Sequence, residues 1–267
     1  MDFKKRWVRN SLLTIVSALS LSIPEGSFPF EIVNSRYKYM NGVKYPFDAY
    51  EALDELSTHP LITLSSIRIL LYGPLKDEAE QYKGYLAGGS IDEDIPFGRS
   101  FSHFLDPETK TGIVPLENAL IRARTKFRSA IENYKEENKE QAYTDLGHVL
   151  HLIQDMHVPE HIFLIQHVAP KSPFESYAVD YYDSKLRNFI SGGDFDTGQL
   201  LMYDSLEEYI QKSARFTYGI YKEKFGEAKI KELSEEQVNE LLSALIPHAI
   251  STSTGMIRFF YSEVKKD

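Results

Sequence analysis

The chain has 267 residues, 42% of them hydrophobic, which is enough for one sizeable core and gives no reason to expect two domains. Its formal net charge of −9 excludes a general electrostatic attraction to nucleic acid or anionic membrane surfaces, so a phosphate-bearing ligand would need a local cationic site. The chain has no cysteine, so any metal must be bound by His, Asp and Glu, donors that suit zinc, with manganese or iron as lesser options.

The N-terminal residues have the pattern of a secretory signal peptide. Residues 1–10 carry four Lys or Arg side chains against a single Asp, and an apolar run over 12–23 follows, with small residues at positions suited to cleavage. This run is too short to span a bilayer, although a membrane-surface or anchoring helix is the alternative. We therefore expect residues 1–22 to be a signal peptide and residues 23–267 to form one mature domain that is secreted or held in the cell envelope.

The rest of the chain predicts an all-α domain with one small appendage. Residues 36–47 predict a β-hairpin, because Asn41-Gly42 lies between alternating residues. From Asp48 onward apolar residues recur at spacings of three and four, and turn residues separate the segments. The stretch 90–114, rich in Pro, Gly and Asp, predicts an irregular loop. The predicted helices cover 48–72, 75–88, 115–138, 139–157, 173–190, 203–225 and 235–264.

Histidines are concentrated in one part of the chain: five of the eight lie between positions 148 and 167. His151 and Asp155 are four residues apart, so they share one face of the predicted helix and could bind one metal ion. His161 follows Pro159, which ends that helix, and can approach the same ion from the next element. Such a His–Asp pair, taken alone, is usually a surface pair. The further His and Glu residues that follow it favour a metal site.

This run resembles the signature of zinc-dependent phospholipase C, which single-strand-specific fungal nucleases share. The family pattern is a His, an Asp four residues later and a His ten residues later, and His151, Asp155 and His161 fit it. Ser102–Gly112 is similar to the family segment Ser-His-Phe-Tyr-Asp-Pro, whose His binds zinc. Ser57–Thr63 resembles the Thr-His segment near the mature start. Two further blocks match in the family's order, namely Gly89–Asp94 and the closing segment Ile246–Phe260.

The resemblance implies a compact multi-helix domain that binds two zinc ions and, more weakly, a third. It assigns each zinc a set of ligands by position. The first set is His103, His151, Asp155 and Asp94; the second is His161, His167 and Glu175; the third is His59 with Asp155.

The sequence departs from the family pattern at three places. The family has a His four residues before the ligand Glu175, where this chain has Lys171, so His167 would have to substitute for it. The family's third zinc is bound partly by an N-terminal Trp, whereas the single Trp here is Trp7, inside the predicted signal peptide. Finally, counting from Gly89 selects Asp94 as the acidic ligand, and counting back from the proline at position 96 selects Asp92.

The resemblance further implies a secreted phospholipase C, in which metal-activated water cleaves the phosphodiester of a phospholipid and Asp94 or Asp92 orients that water. A zinc-dependent nuclease or 3′-nucleotidase is the first alternative, and it would need aromatic platforms for bases. The second is a zinc-binding envelope protein without activity. The lack of cysteine favours the phospholipase over the nuclease branch. We expect a phospholipid or other phosphodiester substrate, transient contact with a membrane surface, no sequence-specific nucleic-acid binding, and a monomer.

Overall fold

The computed structural model describes residues 56–94, 101–113, 116–166, 173–226 and 228–266, and within these ranges it is helical with no β-strand. The predicted all-α fold is confirmed for this part of the chain, whereas the predicted signal peptide and hairpin lie outside it. No helix in the described ranges is both long and apolar enough to cross a membrane. The helices are α1 Thr58–Arg68, α2 Pro74–Gln81, α3 Lys83–Asp92, α4 Ala119–Lys135, α5 Lys139–Asp155, α6 Pro159–Ile162, α7 Pro173–Tyr181, α8 Asp183–Ile190, α9 Leu206–Phe225 and α10 Glu235–Val264, with a 3₁₀ helix at Ile230–Glu232.

Four predicted helices are confirmed within a few residues as α4, α5, α9 and α10. Three of them begin at a side-chain cap, which explains why their starts could be read from the sequence. Asn118 caps α4 and Ser205 caps α9, each accepting a hydrogen bond from the backbone N–H three residues on. Ser234 and Gln237 form a capping box at the start of α10.

Two predictions of a single long helix are wrong, because each segment consists of two helices. The stretch 75–88 divides at Tyr82, and 173–190 divides at Tyr182. Both tyrosines pack on the core, and the ring of Tyr82 stacks on that of Tyr143 with centroids 4.8 Å apart. Each break therefore coincides with a ring that packs on the core, and the local apolar spacing gave no sign of it.

The limits of two other elements also differ from the prediction. α1 ends at Arg68 rather than at position 72, and it begins at Thr58, while residues 48–55 lie outside the described ranges. α3 continues to Asp92, although the irregular loop was predicted to start at Ser90. A sequence rich in glycine stays helical here because α3 packs closely against another helix.

Helix α5 is the centre of the fold. Every residue from Ala142 to Asp155 is buried, and the helix packs against α1, α3, α4, α9 and α10. Its closest neighbour is α3: a Cβ added at Gly147 would lie 2.3 Å from the carbonyl oxygen of Leu86 and 2.9 Å from Cα of Gly89. Only glycine permits this approach, and the approach brings the backbone of α3 against the histidine face of α5.

On its other side, the C-terminal end of α5 contacts α10 through a pair of histidines. His157, two residues beyond α5, is buried, and its Nε2 lies 2.7 Å from Nδ1 of His248. Its Nδ1 lies 3.0 Å from the carbonyl oxygen of Ile153. The ring of His248 stacks on Phe216 with centroids 3.6 Å apart. The two imidazoles therefore form a tie between α5 and α10 that is separate from the predicted metal ligands.

Candidate metal centre

Seven side chains predicted to bind metal lie in the described residues, and they come together around Asp155 from six parts of the fold. His151 and Asp155 lie one turn apart at the end of α5, as their spacing predicted. The others come from the first turn of α1, the turn after α3, the loop that follows, the short helix α6 and the first turn of α7. They are, in that order, His59, Asp94, His103, His161 and Glu175.

The carboxylate of Asp155 lies between two pairs of histidines and is itself 1% exposed. Its Oδ2 is 3.0 Å from Nδ1 of His103 and 3.2 Å from Nε2 of His151. Its Oδ1 is 3.4 Å from Nε2 of His59 and 3.9 Å from Nε2 of His161. A carboxylate with one oxygen toward each pair is suited to bridging two cations.

Asp94 is the remaining member of the predicted first ligand set. Its Oδ1 lies 3.5 Å from Nε2 of His151 and 3.7 Å from Nδ1 of His103, the same two atoms that face Asp155. Two ligand atoms about 2.0–2.1 Å from one tetrahedral zinc are separated by about 3.3 Å. The four distances, 3.0 to 3.7 Å, are close to that separation. The donor set therefore fits a zinc ion.

The second and third ligand sets are partly described. Nε2 of His161 lies 4.0 Å from Oε1 of Glu175, on the side of the cluster that Oδ1 of Asp155 faces. His167, the remaining predicted member of the second set, lies outside the described residues. His59, the residue predicted to contact a third ion, forms a compact group with His151 and Asp155.

Two of the histidines are oriented by backbone carbonyls. Nδ1 of His151 lies 2.6 Å from the carbonyl oxygen of Ser90, and Nδ1 of His161 lies 3.2 Å from that of His103. An Nδ1–H that donates to a carbonyl leaves Nε2 with its lone pair, and in both residues Nε2 faces Asp155. The backbone thus selects the tautomer that a metal ligand requires.

His59 is oriented by a side chain instead. Its Nδ1 lies 3.0 Å from Oε1 of Gln154, and the Gln154 amide donates in turn to Oγ1 of Thr63, 3.0 Å away, and to Oγ of Ser253, 3.4 Å away. These two donations set the amide with its oxygen toward the imidazole. Gln154 could not be recognised from the sequence, because a glutamine next to a predicted ligand is not a signal of its own.

The charges of the cluster are strongly coupled. Burial disfavours a charged imidazole, but the neighbouring carboxylates of Asp155 and Asp94 outweigh it and raise the pKa of His151 to about 10. Burial would likewise raise the pKa of Asp155, yet the surrounding histidines hold it well below its usual range. Nε2 of His151 and Oδ2 of Asp155 are buried and make no hydrogen bond within the described residues. Two such atoms are the kind of pair that a bound cation satisfies.

The structure distinguishes the two aspartates that the sequence left open. Asp94 joins the cluster, whereas Oδ2 of Asp92 faces away toward Nε2 of His148, 3.6 Å distant. Between them lies Glu93, a fully buried carboxylate that sequence analysis missed and that contacts both His103 and His148. In the sequence Glu93 is marked only by its place between Asp92 and Asp94, and the family pattern there points to an aspartate as the ligand.

Comparison with known proteins agrees with this geometry. A family profile described as zinc dependent phospholipase C matches residues 56–246. No curated protein matches the chain significantly. Among solved structures, an alpha toxin from Clostridium absonum is 20% identical with a TM-score of 0.65, over 80% of this chain and 66% of that one. The alpha-toxin from avian strain SWCP of Clostridium perfringens is 18% identical with a TM-score of 0.62, over 79% and 65%.

At these identities the likeness to the toxins shows a shared fold, and this chain spans slightly less than two thirds of the length of either toxin structure. The family profile is the more specific finding, because it covers both the first turn of α1 and the whole run of histidines on and after α5.

Proposed function

Because the chain belongs to the zinc-dependent phospholipase C family, we propose that it is a phosphodiesterase that cleaves phospholipids at a zinc cluster centred on Asp155. The observation that carries the proposal is four distances of 3.0 to 3.7 Å that join Nδ1 of His103 and Nε2 of His151 to the carboxylates of Asp94 and Asp155, because each distance suits two ligands of one tetrahedral zinc. Asp155 would bridge to a second ion bound by His161, Glu175 and the predicted ligand His167. His59 would contact a third, more weakly held ion.

Bound zinc supplies Lewis-acid chemistry, which polarises phosphoryl oxygens and lowers the pKa of water toward neutrality. The chain's own residues decide where a phosphodiester can approach. His103, His151 and Asp155 are almost completely buried, whereas the side chains of Asp94 and Glu175 are 33% and 32% exposed. The cluster is therefore accessible to solvent at these two carboxylates.

Asp94 is the carboxylate best placed to handle the attacking water. It faces the first ligand set through Oδ1 and is accessible to solvent, so it can accept a hydrogen bond from water at the edge of the cluster. Asp155 has both oxygens turned toward histidines and is buried. We therefore assign orientation of the water to Asp94 and retention of the metals to Asp155.

Hydrolysis of nucleic acid is the second candidate, and it would need an aromatic platform for bases. Tyr177 and Tyr181 of α7 stack with centroids 4.0 Å apart, and Tyr181 is exposed. They lie two and six residues after Glu175, however, which places them on the opposite face of the helix from that predicted ligand. The net charge of −9 also opposes this candidate, because it weakens the attraction of a polyanion.

The remaining sequence predictions belong to the same proposal. Residues 1–22 would be removed as a signal peptide, and residues 23–267 would act as a monomeric domain that is secreted or held in the cell envelope. The substrate would reach the site from a membrane surface through transient contact.

A two-substrate assay tests the proposal. Zinc-loaded protein should release diacylglycerol from phosphatidylcholine vesicles and chromophore from a chromogenic phosphocholine ester, and chelator should abolish both. Release of acid-soluble nucleotides from single-stranded DNA, without either lipid product, would identify the nuclease instead. Binding of zinc without turnover of any of the three substrates would contradict the enzymatic function altogether.

A further inference from the structure

Glu93 is a carboxylate with no access to solvent at the edge of the metal cluster. The guanidinium of Arg122 contacts both oxygens of this carboxylate. Its Nε donates to Oε1, and its Nη2 donates to Oε2 at 3.0 Å. Nδ1 of His148 lies 2.6 Å from Oε2, and Nε2 of His103 lies 3.5 Å from Oε1. One buried carboxylate thus contacts a predicted zinc ligand, a second histidine and an arginine.

The contacts of Glu93 offset the cost of burying its charge. Moving an unpaired carboxylate out of water is strongly unfavourable, so a carboxylate in such a place is normally paired. Arg122 contacts both oxygens of the carboxylate, and its permanent positive charge pairs the buried negative charge. Glu93 is therefore an anion whose strong acceptor oxygens point at its neighbours.

His103 differs from the other histidines of the cluster in the nitrogen that it presents. His59, His151 and His161 face Asp155 through Nε2, whereas His103 faces it through Nδ1. An imidazole can bind a metal through Nδ1 only if its remaining proton is on Nε2. Nε2 of His103 is buried and makes no hydrogen bond within the described residues, and Oε1 of Glu93, 3.5 Å away, is an acceptor within reach of a proton on that nitrogen.

We propose that Glu93 is a positioning residue that holds His103 in the tautomer with its proton on Nε2, so that the Nδ1 lone pair faces Asp94 and Asp155. Arg122 keeps the carboxylate in place from the other side. The inference rests on the metal-binding part of the proposed function and does not depend on the substrate. It gives Glu93 a role that a simple structural ion pair with Arg122 would not need.

A double-mutant cycle on zinc affinity tests this role. The full chain is titrated with zinc in competition with a chromogenic chelator, and no substrate is present. Glu93→Gln keeps the size of the side chain but removes its charge, and it should weaken zinc binding roughly 10- to 100-fold. In a His103→Ala background the same change should cost less than about twofold, because the residue through which Glu93 acts is gone.

His161→Ala provides the matched background. His161 also faces Asp155, but it is oriented by a backbone carbonyl and not by Glu93. The full effect of Glu93→Gln should persist there. An equal loss of affinity in all three backgrounds would show that Glu93 merely stabilises the fold, and unchanged affinity in the wild-type background would overturn the inference as well.

Two further measurements keep the result interpretable. If Glu93→Gln does not fold, as judged by circular dichroism of the metal-free protein, the cycle is run with Glu93→Gln/Arg122→Met, which removes both partners of the buried pair. A wild-type chain that binds no zinc would contradict the metal centre and the proposed function together. A wild-type chain that binds zinc tightly, with Glu93→Gln unaffected, would contradict only the role of Glu93.

Discussion

At the scale of single residues, the two oxygens of Asp155 face different partners. Oδ2 is turned to His103 and His151, and Oδ1 to His59 and His161. In a metal-loaded protein the negative charge of this side chain would offset two neighbouring dications, whose mutual repulsion is large at a separation of a few ångströms. Loss of charge at Asp155 should therefore weaken metal binding more than loss of charge at any other residue of the cluster.

Asp155→Asn should give a folded protein with less zinc and a phosphodiesterase rate reduced by orders of magnitude. The substitution keeps the size and one oxygen but removes the charge between the two sets of ligands. Zinc content by elemental analysis and turnover of the chromogenic ester measure the effect. Asp180→Asn, an exposed position on α7, is the control and should be near normal. Equal activity of the two variants would show that Asp155 is not part of the site.

Asp145 shows why such a control has to be chosen from the structure. The sequence places it on the same helix with no matching ligand role, which makes it look neutral. It is in fact 2% exposed, and its carboxylate accepts hydrogen bonds from Lys126, Ser129 and Asn133. Because these contacts join α4 to α5, Asp145→Asn is expected to destabilise the fold, and it would confuse lost stability with lost catalysis.

The sequence could predict the parts of the site whose residues are close together along the chain, and it could not predict contacts between distant segments. His151, Asp155 and His161 could be grouped because helical spacing and a proline place them together. Asp92 and Asp94 could not be separated, because the turn that ends α3 decides which of the two reaches the histidines. The orienting groups behind the ligands were missed, since their roles depend on tertiary contacts that no local pattern shows.

At the scale of helices, the contact of α3 with α5 sets the position of the site. Gly89 and Gly147 allow the two backbones to approach, and the same approach brings the carbonyl of Ser90 within 2.6 Å of Nδ1 of His151. The glycines were visible in the sequence, but their function was not, because a glycine within a helical pattern ordinarily weakens the prediction of a helix. In the same way, the breaks at Tyr82 and Tyr182 coincide with rings packed on the core, and no local turn residue marks them.

Gly147→Ala should destabilise the protein and also weaken zinc binding. The added methyl group would lie 2.3 Å from the carbonyl oxygen of Leu86, so α3 must move, at a cost of about 1–3 kcal/mol or more. Gly219→Ala on α9 is the control, because a Cβ there meets nothing within 4 Å and should stabilise the helix by about 0.5–1 kcal/mol. Urea denaturation and zinc titration measure both variants. A Gly147→Ala protein as stable as wild type would refute the close packing.

At the scale of the whole molecule, the metal ligands come from elements that are distant in the sequence. His59 is in the first turn of α1 and Glu175 in the first turn of α7, with the loop carrying His103 and the end of α5 between them. Bound metal would therefore tie together parts of the chain that local structure does not connect, and its binding free energy would add to the stability of the fold.

Removal of zinc should consequently lower the melting temperature as well as abolish activity. Zinc at 1,000 times its dissociation constant would add about 4 kcal/mol to the free energy of unfolding, which corresponds to a shift of roughly 10 °C for a chain of this size. Calorimetry with and without a strong chelator measures the shift, and Asp155→Asn should show much less of it. An unchanged melting temperature in wild-type protein would indicate that the ligands are ordinary polar residues.

The tie between His157 and His248 has a consequence for the acidity that this protein can withstand. Burial lowers the pKa of His157 well below 6.5, and burial lowers that of His248 to about 4. Above pH 6.5 both rings are neutral in the folded and the unfolded chain, and their full contribution to stability is present. Between pH 6.5 and about 4 the unfolded chain takes up protons that the folded chain does not, so stability is lost as the pH falls.

Urea denaturation of metal-free protein at several pH values isolates this contribution from the release of zinc. Wild-type stability should fall more steeply than that of His248→Gln between pH 6.5 and 4, and parallel curves would contradict the effect. Acid is therefore expected to act at this contact: the two imidazoles must stay uncharged, so the joint between α5 and α10 should weaken as the pH falls below 6.5.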